Sequence, residues 1–316
     1  MALVVVVAAV VSLSIGDYTL TPTDLWRTLA GGGSRVEEYV VFQVRAPRMA
    51  MALLVGACLG VAGALLQSLL SNSLASPDLL GISGGAGAAA VFGLLILGIG
   101  GPLLALFAFV GGLVVATFLL LAGRRSDGGY RLIVAGVGIS FLCAAITSYL
   151  MVRAKVELAQ AALIWLTGSL ASTPWWNVIV VAAVATVSAP FVIACARWLP
   201  LTQLGAPTAV SLGVRPALVR GVAVVVAVLL TATTCAFVGP ISFVALCAPA
   251  IARPLLGHGA VGIGTSAAVG AALLVAADLV AQYAVPGVSL PVGVVTGAIG
   301  SLFLLWLLTA SKGRHL

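Results

Sequence analysis

Residues that could do acid–base or metal chemistry are few in this sequence, and their spacing fits no catalytic motif. The 316 residues include eight Asp and Glu, two His and five Cys. His258 and His315 lie far apart, and the cysteines form no CxxC pair. The sequence also lacks a P-loop and an HExxH segment. We therefore expect no enzyme activity, no metal site and no cofactor on this chain.

Asp278 is an acidic residue inside an apolar segment long enough to cross a membrane. A carboxyl group in such a place can couple transport to an ion gradient. It can also act as a structural polar group that hydrogen-bonds a helix end or pairs with an outer arginine. We favour the structural interpretation, because one carboxyl group near the end of its segment is a poor basis for ion coupling.

The composition requires an apolar solvent. Hydrophobic residues make up 62% of the chain and charged residues 7%, whereas soluble domains carry about 25% charged residues. The net charge of +7 is scattered between apolar runs and is not clustered on one face. These features exclude a soluble enzyme, a nucleic-acid-binding protein and a disordered protein. They predict a polytopic membrane protein.

Ten apolar segments predict an all-α fold with ten transmembrane helices in a single domain over residues 1–316. The first segment is short, and Pro249 and Pro254 interrupt the eighth, so we expect a short or kinked helix there. The segments are 2–15, 46–70, 79–99, 102–122, 131–152, 176–198, 217–238, 240–256, 261–282 and 290–310.

The basic residues predict the orientation of these helices. Nine of the fifteen Lys and Arg residues fall on the side that holds both termini, and six fall on the other side. The positive-inside rule makes the richer side cytoplasmic. Two outer loops, about 16–45 and 153–175, and a cytoplasmic loop, about 197–216, then connect the helices. We expect a short helix over 165–170 at the outer mouth.

A series of short motifs in a fixed order resembles the FecCD-type permease subunits of bacterial type II ABC importers, which take up ferric siderophores, haem and vitamin B12. The motifs are RAPR at 45–48, GALLQ at 63–67, NSLASPDLLGIS at 72–83, GPISFV at 239–244, ADLV at 277–280 and LPVGVVT at 290–296. The resemblance covers nearly the whole chain. It implies the type II importer permease fold in a bacterial cytoplasmic (inner) membrane.

The resemblance also implies partners and a cargo. A second permease subunit, identical or similar, would complete the pore, and two ATPase subunits would supply ATP hydrolysis with ATP and magnesium. An extracytoplasmic substrate-binding protein would deliver a ferric-siderophore complex, with haem or cobalamin as the alternative cargo. Two other classes stay open, namely an ion-coupled secondary transporter that uses Asp278 and an inert assembly subunit.

Several site residues follow from the same resemblance. Arg45 and Arg48 would dock the binding protein, although arginines at a helix end can also serve as interfacial anchors. The ATPase-coupling residues would be Thr208, Ala209, Leu212 and Gly213, on two short helices. The inner gate would involve Asn72, Leu74, Gly128 and Gly129.

The sequence departs from the family pattern at two positions. Ala250 stands where a histidine is common, and Gln282 stands where an arginine often follows the Asp278 motif. The second departure weakens the case for a third basic docking point.

Overall fold

The computed structural model describes residues 11–13, 18, 20–123, 129–171, 173–256, 261–285 and 288–311. Regular structure in these residues is entirely helical, as predicted. A π-helical stretch, Val40–Arg45, joins the second and third helices. The helices are α1 Pro22–Leu29, α2 Arg35–Tyr39, α3 Ala46–Leu69, α4 Ile82–Leu95, α5 Gly101–Gly123, α6 Gly129–Arg153, α7 Val156–Thr167, α8 Trp175–Gln203, α9 Ala206–Ser211, α10 Pro216–Val238, α11 Val244–Leu256, α12 Ile263–Tyr283 and α13 Val292–Ser311.

Nine of the ten predicted membrane segments correspond to helices α3–α6, α8 and α10–α13. The remaining one, 2–15, lies outside the described residues except for 11–13. Helices α3, α5, α6, α8, α10 and α12 are long and apolar enough to cross a bilayer, whereas α4 and α11 are shorter. The interrupted segment forms α11, a helix of 13 residues with both prolines inside it.

Helix α3 lies at the centre of the bundle because glycines let its neighbours approach closely. A Cβ atom added to Gly56 would overlap the carbonyl oxygen of Gly270 in α12, and one added to Gly60 would overlap that of Ser266. A Cβ atom on Gly63 would overlap the carbonyl oxygen of Ala245 in α11. Small residues thus replace side-chain packing with backbone contact, as is common between membrane helices.

Helix α4 is shorter than the predicted segment 79–99, because the chain before it forms a turn within the bundle. A Cβ atom added to Gly112, near the middle of α5, would lie 3.2 Å from the Ala232 Cβ and 3.6 Å from Ile82 at the start of α4. Helix α4 therefore begins well inside the bundle. Ala75, Ser76 and Pro77 of the preceding turn are buried, and protein covers this non-helical backbone at membrane depth.

The outer-mouth helix occupies other residues than predicted. Helix α7 spans Val156–Thr167 and ends at Gly168, whose φ of 73° breaks the helix. The expected helix over 165–170 is therefore wrong in its position. The backbone after α7 instead binds neighbouring helices, since Ser169 N–H donates to Val238 O (2.8 Å) and Gly293 N–H donates to Gly168 O (3.2 Å).

Candidate docking, gating and coupling sites

An ion pair between Arg48 and Asp278 joins the start of α3 to the C-terminal part of α12. The Arg48 Nη2 lies 2.8 Å from Asp278 Oδ1, and Nε lies 3.0 Å from Oδ2. The side chains are 16% and 2% exposed, respectively. Gln282 Nε2 donates to the same carboxylate at 2.8 Å. Asp278 is therefore a satisfied structural carboxylate paired with an outer arginine, which is the interpretation favoured from the sequence.

Arg45, the second predicted docking residue, binds backbone. Its Nη1 donates to Leu13 O (2.6 Å) and its Nη2 donates to Tyr18 O (2.5 Å). Both predicted docking arginines thus make contacts within the chain. That these arginines dock a binding protein stays a prediction. To do so, Arg48 would have to bind the partner while its guanidinium also pairs with Asp278.

Two short helices, α1 and α2, build the outer surface beside these arginines. Each begins with a capping box, in which Thr21 pairs with Asp24 and Ser34 pairs with Glu37. Arg27 bridges the two helices by an ion pair with Glu37 at 3.2 Å. The Thr21 hydroxyl lowers the pKa of Asp24, and the Ser34 backbone N–H lowers the pKa of Glu37. Both carboxylates are thereby held in the charged form.

The predicted gate residues Asn72 and Leu74 lie in the turn after α3. Asn72 Oδ1 accepts a hydrogen bond from Leu74 N–H at 2.9 Å, which fixes the turn. Ser71 has a φ of 47°, an uncommon conformation for a residue with a side chain. Gly129 begins α6, and Gly128 lies outside the described residues.

Asp78 and Ser83 form a polar pair that sequence reasoning missed. Asp78 was expected in a cytoplasmic loop, but its Oδ1 accepts a hydrogen bond of 2.5 Å from the Ser83 hydroxyl. Ser83 faces Leu59 of α3 and Cys235 of α10 across a cavity of about 10 Å³. The pair therefore lies within the bundle. Pro77 and Gly81 were the sequence signals of a turn, but they did not reveal its depth.

The predicted coupling residues lie in and after α9. Ala209 is buried, whereas Thr208 and Leu212 are exposed. Gly213 has a φ of 79° and turns the chain towards α10. The expected second short helix does not form, because Pro216 starts the long helix α10 directly. Helix α9 thus presents one small exposed face between two long helices.

Helix α6 leaves most of its apolar surface uncovered. In its most apolar 18-residue stretch 11% of the residues are buried, compared with 72% in the stretch that includes α3. The exposed side chains include Phe141, Leu142 and Tyr149. Lipid or another subunit must cover this surface, because an apolar face of this size is unstable in water.

Known proteins match this chain over nearly its full length. The sequence profile of the FecCD transport family matches residues 3–310. The ferric enterobactin transport system permease protein FepG of Escherichia coli (strain K12) is 39% identical over 311 residues, which cover 96% of this chain and 92% of FepG. The vitamin B12 import system permease protein BtuC of Salmonella typhi is 33% identical over 318 residues, which cover 98% of this chain and 94% of BtuC.

A solved structure gives the same result for the fold. An inward-facing ABC transporter of the metal-chelate type superposes with a TM-score of 0.88 and 26% sequence identity, covering 98% of this chain and 97% of the other. The matched residues include the outer ion pair, the turn before α4 and the coupling segment described above. This chain belongs to the FecCD transport family, which consists of permease subunits of ABC importers.

Proposed function

We propose that this chain is the membrane permease of an ATP-driven importer that carries ferric-siderophore complexes into a bacterial cell. The match to the FecCD family over residues 3–310 is the observation that carries this proposal. Relatives that transport iron chelates support the cargo, FepG among them. The chain itself would be non-catalytic, so ATP hydrolysis would reside in a separate subunit.

The partners would bind at three surfaces. A second permease subunit would cover part of the exposed face of α6 and complete a pore between the subunits. Two ATPase subunits would bind from the cytoplasm, each against the α9 segment of one permease. A substrate-binding protein would dock on the outer surface near Arg45 and Arg48. Both termini would then be cytoplasmic, as the distribution of basic residues favours.

The pathway would hold its cargo weakly. The exposed surface of α6 consists largely of apolar side chains, which offer few hydrogen bonds to an iron chelate. Selectivity between a siderophore, haem and cobalamin would therefore rest mainly with the binding protein. Weak binding in the pore favours release into the cytoplasm.

Ion-coupled transport through Asp278 has little support from the geometry. Arg48 and Gln282 both donate to its carboxylate, so a proton or sodium ion would have to displace these partners. ATP-driven transport by partner subunits needs no titratable group in this chain.

Reconstitution tests this proposal. Proteoliposomes containing this permease, its ATPase and its binding protein should accumulate radioactive iron given as a ferric siderophore, only when ATP is enclosed on the cytoplasmic side. A protonophore should leave uptake unchanged while ATP is maintained. Uptake that needs no ATPase and that the protonophore abolishes would support a secondary transporter. Transport of cobalamin or haem, but not of a ferric siderophore, would show that the proposed cargo is wrong.

A further inference from the structure

A polar cavity opens beside the end of helix α3, next to the turn that carries the predicted gate residue Asn72. Its volume is about 560 Å³, a size typical of sites that bind a small molecule or a peptide segment. Its lining is polar although the chain is 62% hydrophobic. The lining includes Gln67, Ser71, Asn72, Ser73, Gln203 and Arg253.

Arg253 supplies the one formal charge among the residues that line this cavity. It lies in the last turn of α11 and is half-buried. Its guanidinium makes no hydrogen bond or ion pair with any residue that the structure describes. The end of α11 favours a cation there, and no carboxylate among the residues that line the cavity balances its charge. A negatively charged group in the cavity would satisfy it.

Gln67 calls for a hydrogen-bond donor in the cavity in addition to the negatively charged group. Its side chain is 1% exposed, and its Nε2 donates to Leu246 O at 3.2 Å. Its Oε1 has no hydrogen-bond partner within the described part of the chain. A backbone N–H group brought in by an occupant, or a water bound with it, would satisfy this oxygen. The cavity therefore offers one cation and several neutral hydrogen-bonding groups.

The cavity adjoins the coupling segment. Gln203 is the last residue of α8, and two residues separate it from the start of α9. Its Nε2 donates to Ser68 O at 3.1 Å and so ties the end of α8 to the end of α3. Anything that fills the cavity would contact the end of α8, just before α9, and the turn that carries the predicted gate residue Asn72.

We propose that this cavity receives an acidic side chain from a loop of the ATPase subunit, as a second contact in addition to α9. The inference rests on the proposed function and its orientation. A lipid headgroup is the rival occupant, but lipid phosphates are usually bound by clusters of Lys and Arg. The single cation among neutral serine and amide groups suits a peptide carboxylate with its neighbouring backbone. This contact would link ATPase movement directly to the turn at Asn72.

Charge reversal tests the contact. Arg253→Glu should weaken binding of the ATPase to the detergent-solubilised permease by about tenfold or more, because it places two carboxylates together. Arg253→Lys should keep binding within about threefold of the wild type, since it retains the charge. Arg153→Glu, on the outer side, is the matched control and should bind like the wild type. Equal binding by Arg253→Glu and the wild type would overturn the proposal.

Chemical protection gives a second readout that does not depend on a folded charge-reversal variant. The described cysteines are all buried, so Ser73→Cys would provide an accessible thiol at the cavity. A maleimide should modify it readily in the permease alone and about tenfold more slowly with the ATPase bound. Thr23→Cys, on the outer surface, should react equally in both states. Unprotected Ser73→Cys in a complex that does form would contradict the contact.

Varying the lipid composition distinguishes an ATPase carboxylate from a lipid headgroup as the occupant of the cavity. In nanodiscs of phosphatidylcholine alone, the ATPase should bind the permease as well as in nanodiscs with phosphatidylglycerol, and Arg253→Glu should still weaken it. If the variant instead loses only a stabilisation by phosphatidylglycerol and keeps its ATPase affinity, the occupant is a lipid and the proposal is wrong. Failure of the wild-type permease to bind any ATPase would refute the proposed function itself.

Discussion

At the residue scale, the pairing of Arg48 with Asp278 changes how the outer arginines must be studied. Sequence reasoning could state that Asp278 might pair with an arginine, but it could not choose the partner, which lies 230 positions away. The pair also means that Arg48→Glu would place a second carboxylate against Asp278. Loss of docking in such a variant could then reflect a disturbed bundle, so reversal of the acidic residues on the binding protein is the cleaner test.

We predict that breaking this pair destabilises the protein strongly. Asp278→Ala should lower the free energy of unfolding by about 3 kcal/mol or more, because Arg48 would keep a mostly buried charge without its partner. The double variant Arg48→Ala with Asp278→Ala should lose less than the sum of the single changes. Denaturant unfolding in detergent measures the free energy of unfolding of the single and double variants, with Arg153→Ala as the control. Additive losses would show that the two side chains do not interact.

A second residue-scale prediction concerns pH and the outer helices. Hydrogen bonds lower the pKa of Asp24 and of Glu37 below their ordinary values of 3.8 and 4.5. The stabilisation by these carboxylates is therefore complete above those values and is lost as the pH falls through the lowered pKa values. The protection of the α1 and α2 amides against hydrogen exchange, measured relative to the intrinsic exchange rate at each pH, should fall below about pH 4. Thr21→Ala should move the onset of this change upwards, whereas Thr23→Ala should not.

At the element scale, hydrophobic pattern and length predicted ten membrane helices, nine of which correspond to described helices, but contacts between helices decided the details. Apolar runs could not reveal that residues 79–81 form a turn inside the bundle, since a buried turn and a helix share the same composition. The short helix predicted over 165–170 was placed too late in the sequence, because α7 begins at Val156 and Gly168 ends it. The Asp78–Ser83 pair was missed for the same reason, because depth depends on the neighbouring helices.

The glycine contacts of α3 lead to a prediction about helix packing. Gly60→Val should destabilise the fold by about 2 kcal/mol or more, since its side chain would meet the backbone of α12 at Ser266. Gly297→Ala is the matched control, because no atom lies within 4 Å of its added Cβ and alanine is the better helix former. Thermal unfolding of the purified permease should show a lower unfolding temperature for Gly60→Val and no decrease for Gly297→Ala. Equal behaviour would mean that α3 and α12 can separate without cost.

At the scale of the whole molecule, a bundle of close-packed helices moves as a body. Backbone contacts among α3, α11 and α12 leave little room for side-chain rearrangement, so alternating access would come from tilting of whole subunits. Under the proposed function, the ATPase would apply that movement through the small exposed helix α9. The ATPase would then act on a surface of few residues, and single substitutions there should have large effects on transport.

Leu212→Glu tests this view of the whole importer. Leu212 is 55% exposed at the end of α9, so the substitution should leave folding intact and place a charge in the ATPase contact. Binding-protein-stimulated ATP hydrolysis should fall by about tenfold or more, because a charge buried without a partner disfavours the complex. Val156→Glu, on an exposed position of α7, should retain full stimulation. If the importer with Leu212→Glu hydrolyses ATP like the wild type but no longer transports, the ATPase contact is intact, and α9 transmits movement without contributing to affinity. If both hydrolysis and transport are unchanged, α9 is not part of the coupling pathway.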